Sequence, residues 1–181
     1  MKGDPHAHDT APSAWIERWS HHVRPGGRVL DLACGSGRHA RLLARMGFEV
    51  AAVDRDPSLF ADPPARVELR GADLEAGPWP YAGQRFDAIV VTNYLHRPLL
   101  AILAGSLEPG GLLLYETFAR GNERFGKPSN PDFLLRPGEL LEVVRGRLRV
   151  LVYEDIVVDI PRPAAIQRIA ARSDLPDRIL R

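Results

Sequence analysis

One cysteine, Cys34, is all that the 181-residue chain carries, so an internal disulfide is excluded and nothing points to an oxidising compartment. Long apolar runs are missing as well. Stretches such as LLAILAG fall short of the ~18–20 residues that span a bilayer, and the opening MKGDPHAHDT lacks the apolar segment of a secretory leader. A cytoplasmic protein without a membrane partner is the expectation. Nor is there an excess of one charge. Lys plus Arg number 24 against 23 acids, a net charge of +1, so no broad field draws the chain to nucleic acid. Internal repeats and low-complexity tracts are absent too, and a hydrophobic content of 45% suffices for one core in a single domain over residues 1–181.

What the chain does have is alternation of apolar runs and helical patterns. Residues 1–24 read as a polar tail and a helix over Ser13-Ala14-Trp15-Ile16-Glu17-Arg18-Trp19 capped by Ser13. Strand patterns follow at Arg28 to Leu32, Phe48 to Val53, Arg66 to Arg70, Phe86 to Val91 and Leu112 to Glu116. Between them lie a helix from Gly37 to Arg45, a short one from Asp56 to Ala61 and one from Pro98 to Leu107, with a turn at Glu108-Pro109-Gly110-Gly111. This order predicts a doubly wound α/β sheet. A helix at Pro137 to Val144 precedes two strands, Leu148 to Val158 and Ala164 to Ala171, whose short connection predicts an antiparallel C-terminal hairpin. Residues 117–136 are rich in Gly, Asn and Pro and too long for an ordinary connection, which marks them as a candidate substrate lid.

The stretch VLDLACGSGRHARLLARMG holds most of the functional signal. Gly35, Gly37 and Ala40 match G-x-G-x-x-A, the fingerprint of a dinucleotide turn. Asp31, four residues before Gly35, speaks against NAD, because a carboxylate at the strand tip repels a pyrophosphate. It suits a ligand carrying an ammonium and a sulfonium, and S-adenosylmethionine is such a ligand. Asp54 lies 19 residues after Gly35 and offers two oxygens to ribose hydroxyls, chemistry that either cofactor would use.

Further stretches occur in the order found in class I S-adenosylmethionine-dependent methyltransferases. Val29 to Gly37 resembles their first motif, and Val53-Asp54 the acidic end of the second strand. Gly71-Ala72-Asp73-Leu74 resembles the adenine loop, Phe86 to Val91 the fourth strand, and Leu107 to Leu114 the turn and strand after it. The resemblance covers roughly residues 25–116 and implies a Rossmann-like sheet, mostly parallel, with S-adenosylmethionine as cofactor. Within the superfamily, DLACGSGRHA and the compact size resemble the small tellurite-resistance type. The resemblance implies that Asp31, Gly35 and Gly37 line the methionine moiety, Asp54 the ribose, and Asp73 and Leu74 the adenine. Ala33, Cys34, Arg55 and Asn93 complete the implied cofactor edge. Cys34 sits at a helix start that could favour a thiolate, although a small residue in the turn is explanation enough.

The acceptor side belongs at the ends of the fourth and fifth strands. TNYLHRP supplies Asn93, Tyr94, His96 and Arg97, with His96 able to move a proton near neutral pH and Tyr94 able to face a sulfonium. YETFARGNERFG supplies Glu116, Phe118, Asn122 and Phe125 as substrate contacts. Arg97, Arg120, Arg124, Lys127 and Arg136 outnumber Glu123 and Asp132 there, which favours a small, anionic acceptor. His6, His8, His21 and His22 lack the partners of a metal site, so no metal is expected. The rivals are an NAD oxidoreductase, disfavoured by Asp31 and by the lack of a Tyr-x-x-x-Lys hydride constellation, a non-catalytic cofactor-binding module, and an RNA or protein methyltransferase.

Overall fold

The computed structural model describes residues 11–173; His6 and His8 lie outside them. Seven strands form one sheet: β1 (Arg28–Leu32), β2 (Glu49–Asp54), β3 (Val67–Gly71), β4 (Phe86–Thr92), β5 (Leu107–Phe118), β6 (Arg149–Val158) and β7 (Ala164–Arg172). Their order is β3-β2-β1-β4-β5-β7-β6. The first five run parallel, while β7 lies antiparallel between β5 and β6. The expected doubly wound sheet with its antiparallel hairpin is therefore present, and β7 inserts inside β6.

Helices α1 (Ala14–Ser20), α2 (Arg38–Arg45), α3 (Arg97–Gly105) and α4 (Glu139–Val144) cover the two faces. Successive strand residues point to opposite sides. Leu30, Val53, Ile89, Val91, Leu113 and Tyr115 pack under Leu99, Leu103, Leu140 and Val144 of α3 and α4. Val29, Val50, Val90, Leu112 and Leu114 pack under Trp15, Ile16, Ala40 and Leu43 of α1 and α2. Both layers are fully apolar at the centre, as a parallel sheet buried on two faces requires.

Three local expectations shift. The strand expected from Leu112 begins at Leu107, because Glu108-Pro109-Gly110-Gly111 forms an irregularity inside β5 rather than a turn before it. There Gly110 N donates to Ser173 O and Ser173 N to Gly111 O, so β7 reaches the bulge. A Cβ on Gly111 would meet the carbonyls of Glu108 and Phe86 at 2.9 and 3.0 Å. The short helix expected from Asp56 is a single 3-10 turn, Pro57–Leu59, capped by the Asp56 carboxylate. Segment 117–136 starts inside β5, continues as two 3-10 turns at Asn122–Arg124 and Pro131–Phe133, and is tied at its base by a bridge between Ala119 and Leu135.

Gln167, 0% exposed on β7, ties α4 and the segment before it to the antiparallel hairpin. Its amide donates to Arg136 O at 2.7 Å and to Asp155 at 3.1 Å, and its carbonyl accepts from Leu140 N at 3.4 Å. Gln167→Met keeps the volume but leaves the buried Leu140 N–H without its acceptor and removes two donated bonds, so unfolding free energy falls by ~1–3 kcal/mol. A urea titration with unchanged slope checks this loss.

Candidate functional site

The C-terminal ends of β1, β2, β3 and β4 lie side by side and open onto one crevice, where open α/β sheets bind ligands. After β1 the chain turns sharply into α2, with Ala33, Gly35 and Gly37 at φ of 53°, 52° and 76°. Gly35 and Gly37 tolerate this region without a Cβ penalty. A Cβ on Gly37 would sit inside the ring of Phe60, whereas one on Gly35 would meet nothing within 4 Å. Gly37 is therefore required by packing, and Gly35 leaves its side open to a ligand.

A carboxylate at the end of β2 holds this turn. Asp54 Oδ2 accepts from Gly35 N at 2.8 Å and its Oδ1 accepts from Asp56 N at 3.0 Å. Cys34 N donates to Val53 O, which docks the same turn on the strand itself. Asp54 remains half-buried at the crevice, with lone pairs left on both oxygens. Just after β3, Asp73 Oδ1 accepts from Ala76 N and Glu75 N at 3.0 and 2.9 Å, which holds its carboxyl below the usual range. Leu74 is buried, and Arg55 is exposed beside it on the crevice rim. Asn93 follows β4 at φ 54°, a conformation asparagine tolerates better than most residues.

Asp31 behaves differently from the expected open contact. It is 1% exposed and its Oδ2 accepts from Ala40 N at 2.8 Å, in the first turn of α2. Its charge acts on the glycine turn from beneath. Cys34 is also buried, which pushes its thiol pKa up and keeps it neutral.

On the acceptor side the structure separates the proposed residues. Tyr94 is half-buried, and its hydroxyl is buried with no hydrogen-bond partner. Desolvation pushes its pKa up to about 12, reinforced by the nearby carboxylates of Glu75, Asp73 and Asp54. At neutral pH this phenol can donate a hydrogen bond but not accept a proton. His96 caps α3 through its backbone and lies near enough to Asp73 to act on it electrostatically.

Arg97 is not free for an anion. It pairs with Glu139 at 2.7 Å and donates to Asp132 O and Leu134 O, and Arg136 shares Glu139. The cationic surplus read around segment 117–136 omitted Glu139, which lies just beyond it and pairs with Arg136 of the segment and with Arg97 of α3. Asn122 is 2% exposed and bonds Pro128 O and Ala165 N, so it holds the loop together rather than facing solvent. Phe125 is 41% exposed with Arg124 on its ring, and Phe118 carries Arg162 on its face. Glu116 pairs with Arg168 at 3.3 Å, and Arg168 also binds Glu154 and lies over Trp15.

Two buried groups escaped the sequence reading. His39, 2% exposed, accepts from Ser13 N at 3.0 Å through Nε2 and places Nδ1 3.3 Å from Thr92 Oγ1. Burial lowers its pKa to about 3, so the ring is neutral. Phe60 fills the space beside Gly37 and carries Arg41 over its face at 4.7 Å. The signal for His39 was its place two residues after Gly37; Phe60, 23 residues after that glycine, gave none. Among the described residues no group of three or more His, Cys, Asp and Glu could hold a metal, and no helix is long and apolar enough to cross a membrane.

Residues 29–111 match the family described as a methyltransferase domain. The chain is 38% identical over 122 residues to a protein-L-isoaspartate O-methyltransferase of Methylorubrum extorquens, covering 57% of this chain and 52% of that protein. It is 32% identical over 108 residues to a ubiquinone biosynthesis O-methyltransferase of Xanthomonas campestris, covering 53% and 45%. It thus spans about half the length of the curated relatives it matches. Among solved structures, TehB from Haemophilus influenzae superposes with a TM-score of 0.73 at 18% identity, over 90% of this chain and 63% of that one, a likeness of fold.

Burial pushes the Asp31 carboxyl up to about 7, against 3.8 ordinarily. The folded state then holds a proton that the unfolded state releases, so this contribution to stability is full below about pH 4 and is lost as pH rises to 7. Asp31→Asn keeps an acceptor for Ala40 N–H without the titration. Its stability relative to the parent therefore rises by ~2–3 kcal/mol from pH 5 to pH 8, at ~1.36 kcal/mol per pKa unit. Urea titrations at both pH values measure the difference; a flat difference refutes the assignment.

Proposed function

We propose that the chain, which matches the methyltransferase-domain family over residues 29–111, is a class I S-adenosylmethionine-dependent methyltransferase that transfers a methyl group from S-adenosylmethionine to a small-molecule acceptor by in-line displacement. The observation that carries this reading is the presence on one crevice of Asp54 and of the orphaned Tyr94 hydroxyl. An acceptor for ribose hydroxyls and a buried donor without a partner sit on one crevice, and a bound nucleoside supplies what both lack. Gly35 leaves open space where the methionine end approaches. An ammonium arriving there draws the Asp31 proton off and gains from the charge beneath the turn.

The sheet order separates this reading from an NAD enzyme, whose strands run 3-2-1-4-5-6 in parallel, whereas here β7 enters antiparallel between β5 and β6. The cofactor brings an already activated methyl group on sulfur. The chain's part is to bind, orient and exclude water, and alignment alone supplies ~7–11 kcal/mol of a barrier. His96 is the candidate to take a proton from an acceptor hydroxyl, and Tyr94 donates rather than accepts. Loop 117–136, closed at its base by Ala119 and Leu135 and anchored through Arg97 and Glu139, offers Phe125 as an apolar cover over the acceptor. With Arg97 and Arg136 paired, the acceptor's anionic charge loses much of its support.

The net charge of +1 supports a small-molecule acceptor over nucleic acid. Label from S-adenosylmethionine incubated with a cell extract should enter the small-molecule fraction; label confined to RNA or protein would refute that choice. For the cofactor site, the expected outcome in calorimetry is 1:1 binding of S-adenosylhomocysteine, the demethylated cofactor, weakened by ~1.5–3 kcal/mol in Asp54→Ala. An unchanged affinity would remove Asp54 from the site.

A further inference from the structure

The first helix is fastened to the glycine turn rather than merely packed on the sheet. Ala11 O accepts from the Arg38 guanidinium at 3.2 Å, and Ser13 N donates to His39 Nε2 at 3.0 Å. Arg38 and His39 are the first two residues of α2, directly after Gly37. From there α1 runs on to Trp15, whose ring lies under Arg168 of β7. Thr92 of β4, Glu116 of β5, Arg168 of β7 and Glu154 of β6 stand in one register row. The helix thus lies on the face of the sheet shared with α2, with its start held at the glycine turn and Trp15 under Arg168, in the register row that ends β4.

His39 is the joint of this arrangement. With Nε2 accepting from Ser13, the ring proton belongs on Nδ1, facing Thr92 Oγ1. The ring is buried, so its two hydrogen bonds are the reason for its polarity. One side chain thereby fixes the start of α1, the start of α2 and the end of β4 relative to one another. Ser13 is also the N-cap of α1, its hydroxyl accepting from Ile16 N, so the pinned residue sets where the helix begins.

We propose that His39 is a positioning residue that pins α1 as the wall closing the methionine end of the cofactor crevice. The inference rests on the cofactor reading above. It predicts a selective effect, since the pin borders the glycine turn and lies away from Asp73 and Leu74, the adenine side.

Two variant pairs isolate the contact. Ser13→Ala removes the cap but keeps the backbone N–H, whereas Ser13→Pro removes both, and its φ of −62° accommodates proline. His39→Ala removes the acceptor, and His39→Gln returns a carbonyl oxygen near the Nε2 position. The probes are S-adenosylhomocysteine and 5′-methylthioadenosine, which lacks the amino-acid end, each titrated by calorimetry into the full chain. His39→Ala should weaken S-adenosylhomocysteine about tenfold, and Ser13→Pro should do the same relative to Ser13→Ala. Neither should move 5′-methylthioadenosine by more than about twofold. His39→Gln should recover most of the loss, and the His39→Ala/Ser13→Pro double variant should be no weaker than the worse single variant.

Equal losses for both ligands would show a merely structural histidine and overturn the proposal, as would unchanged S-adenosylhomocysteine affinity. If the parent protein bound neither ligand, the cofactor reading itself would fall. Hydrogen exchange over residues 14–20 would then decide the pin alone: at least tenfold faster exchange in His39→Ala supports it, and unchanged exchange refutes it.

Discussion

The hydrogen bond from Gly35 N to Asp54 is the contact on which the site depends. It joins the turn after one strand to the end of the next, and so converts two neighbouring strands of a buried sheet into a single binding edge. Without it the turn would present backbone donors in no fixed direction. The apolar layers beneath supply rigidity but no direction, because Val29, Val50 and Val90 pack equally well whatever the turn above them does. The carboxylate also has a dual part: it organises the empty turn while keeping spare lone pairs at the crevice.

A second carboxylate, Asp31, works from below. Placed one pleat inside the same sheet, it satisfies an early donor of α2 at the expense of its own solvation. The two acids therefore divide their labour. One shapes the turn from the side, and the other sets the local potential from the interior, where each unit of charge has more effect than it would in water.

Legibility from sequence followed interaction range. Strand positions, the glycine turn, Asp54 and the antiparallel end were visible because each rests on a local pattern: apolar runs, positive-φ positions, or a short connection. The Arg97–Glu139 pair joins residues 42 apart, so Arg97 read as a free cation. Asn122 read as a substrate contact because its composition is that of a loop, while burial between Pro128 and Ala165 makes it structural. Asp31 was placed at the correct strand tip, yet a period of two cannot tell whether a tip residue faces a ligand or the helix that follows. His39 stood inside the quoted motif and passed unnoticed, since its partners, Ser13 and Thr92, are 26 and 53 residues away.

The interleaving of β7 between β5 and β6 has a consequence for how the chain reaches this state. During synthesis β6 leaves the ribosome before β7, with no neighbour yet available to accept its backbone hydrogen bonds. Its ten residues must wait, and direct pairing with β5 would fill the place that β7 has to occupy. The parallel half can assemble from short strand–helix–strand connections, whereas the antiparallel end is complete only when β7 has entered between β5 and β6. The ion pair between Glu116 of β5 and Arg168 of β7 can therefore form only once the strand that arrives last from the ribosome has taken its inner place in the sheet.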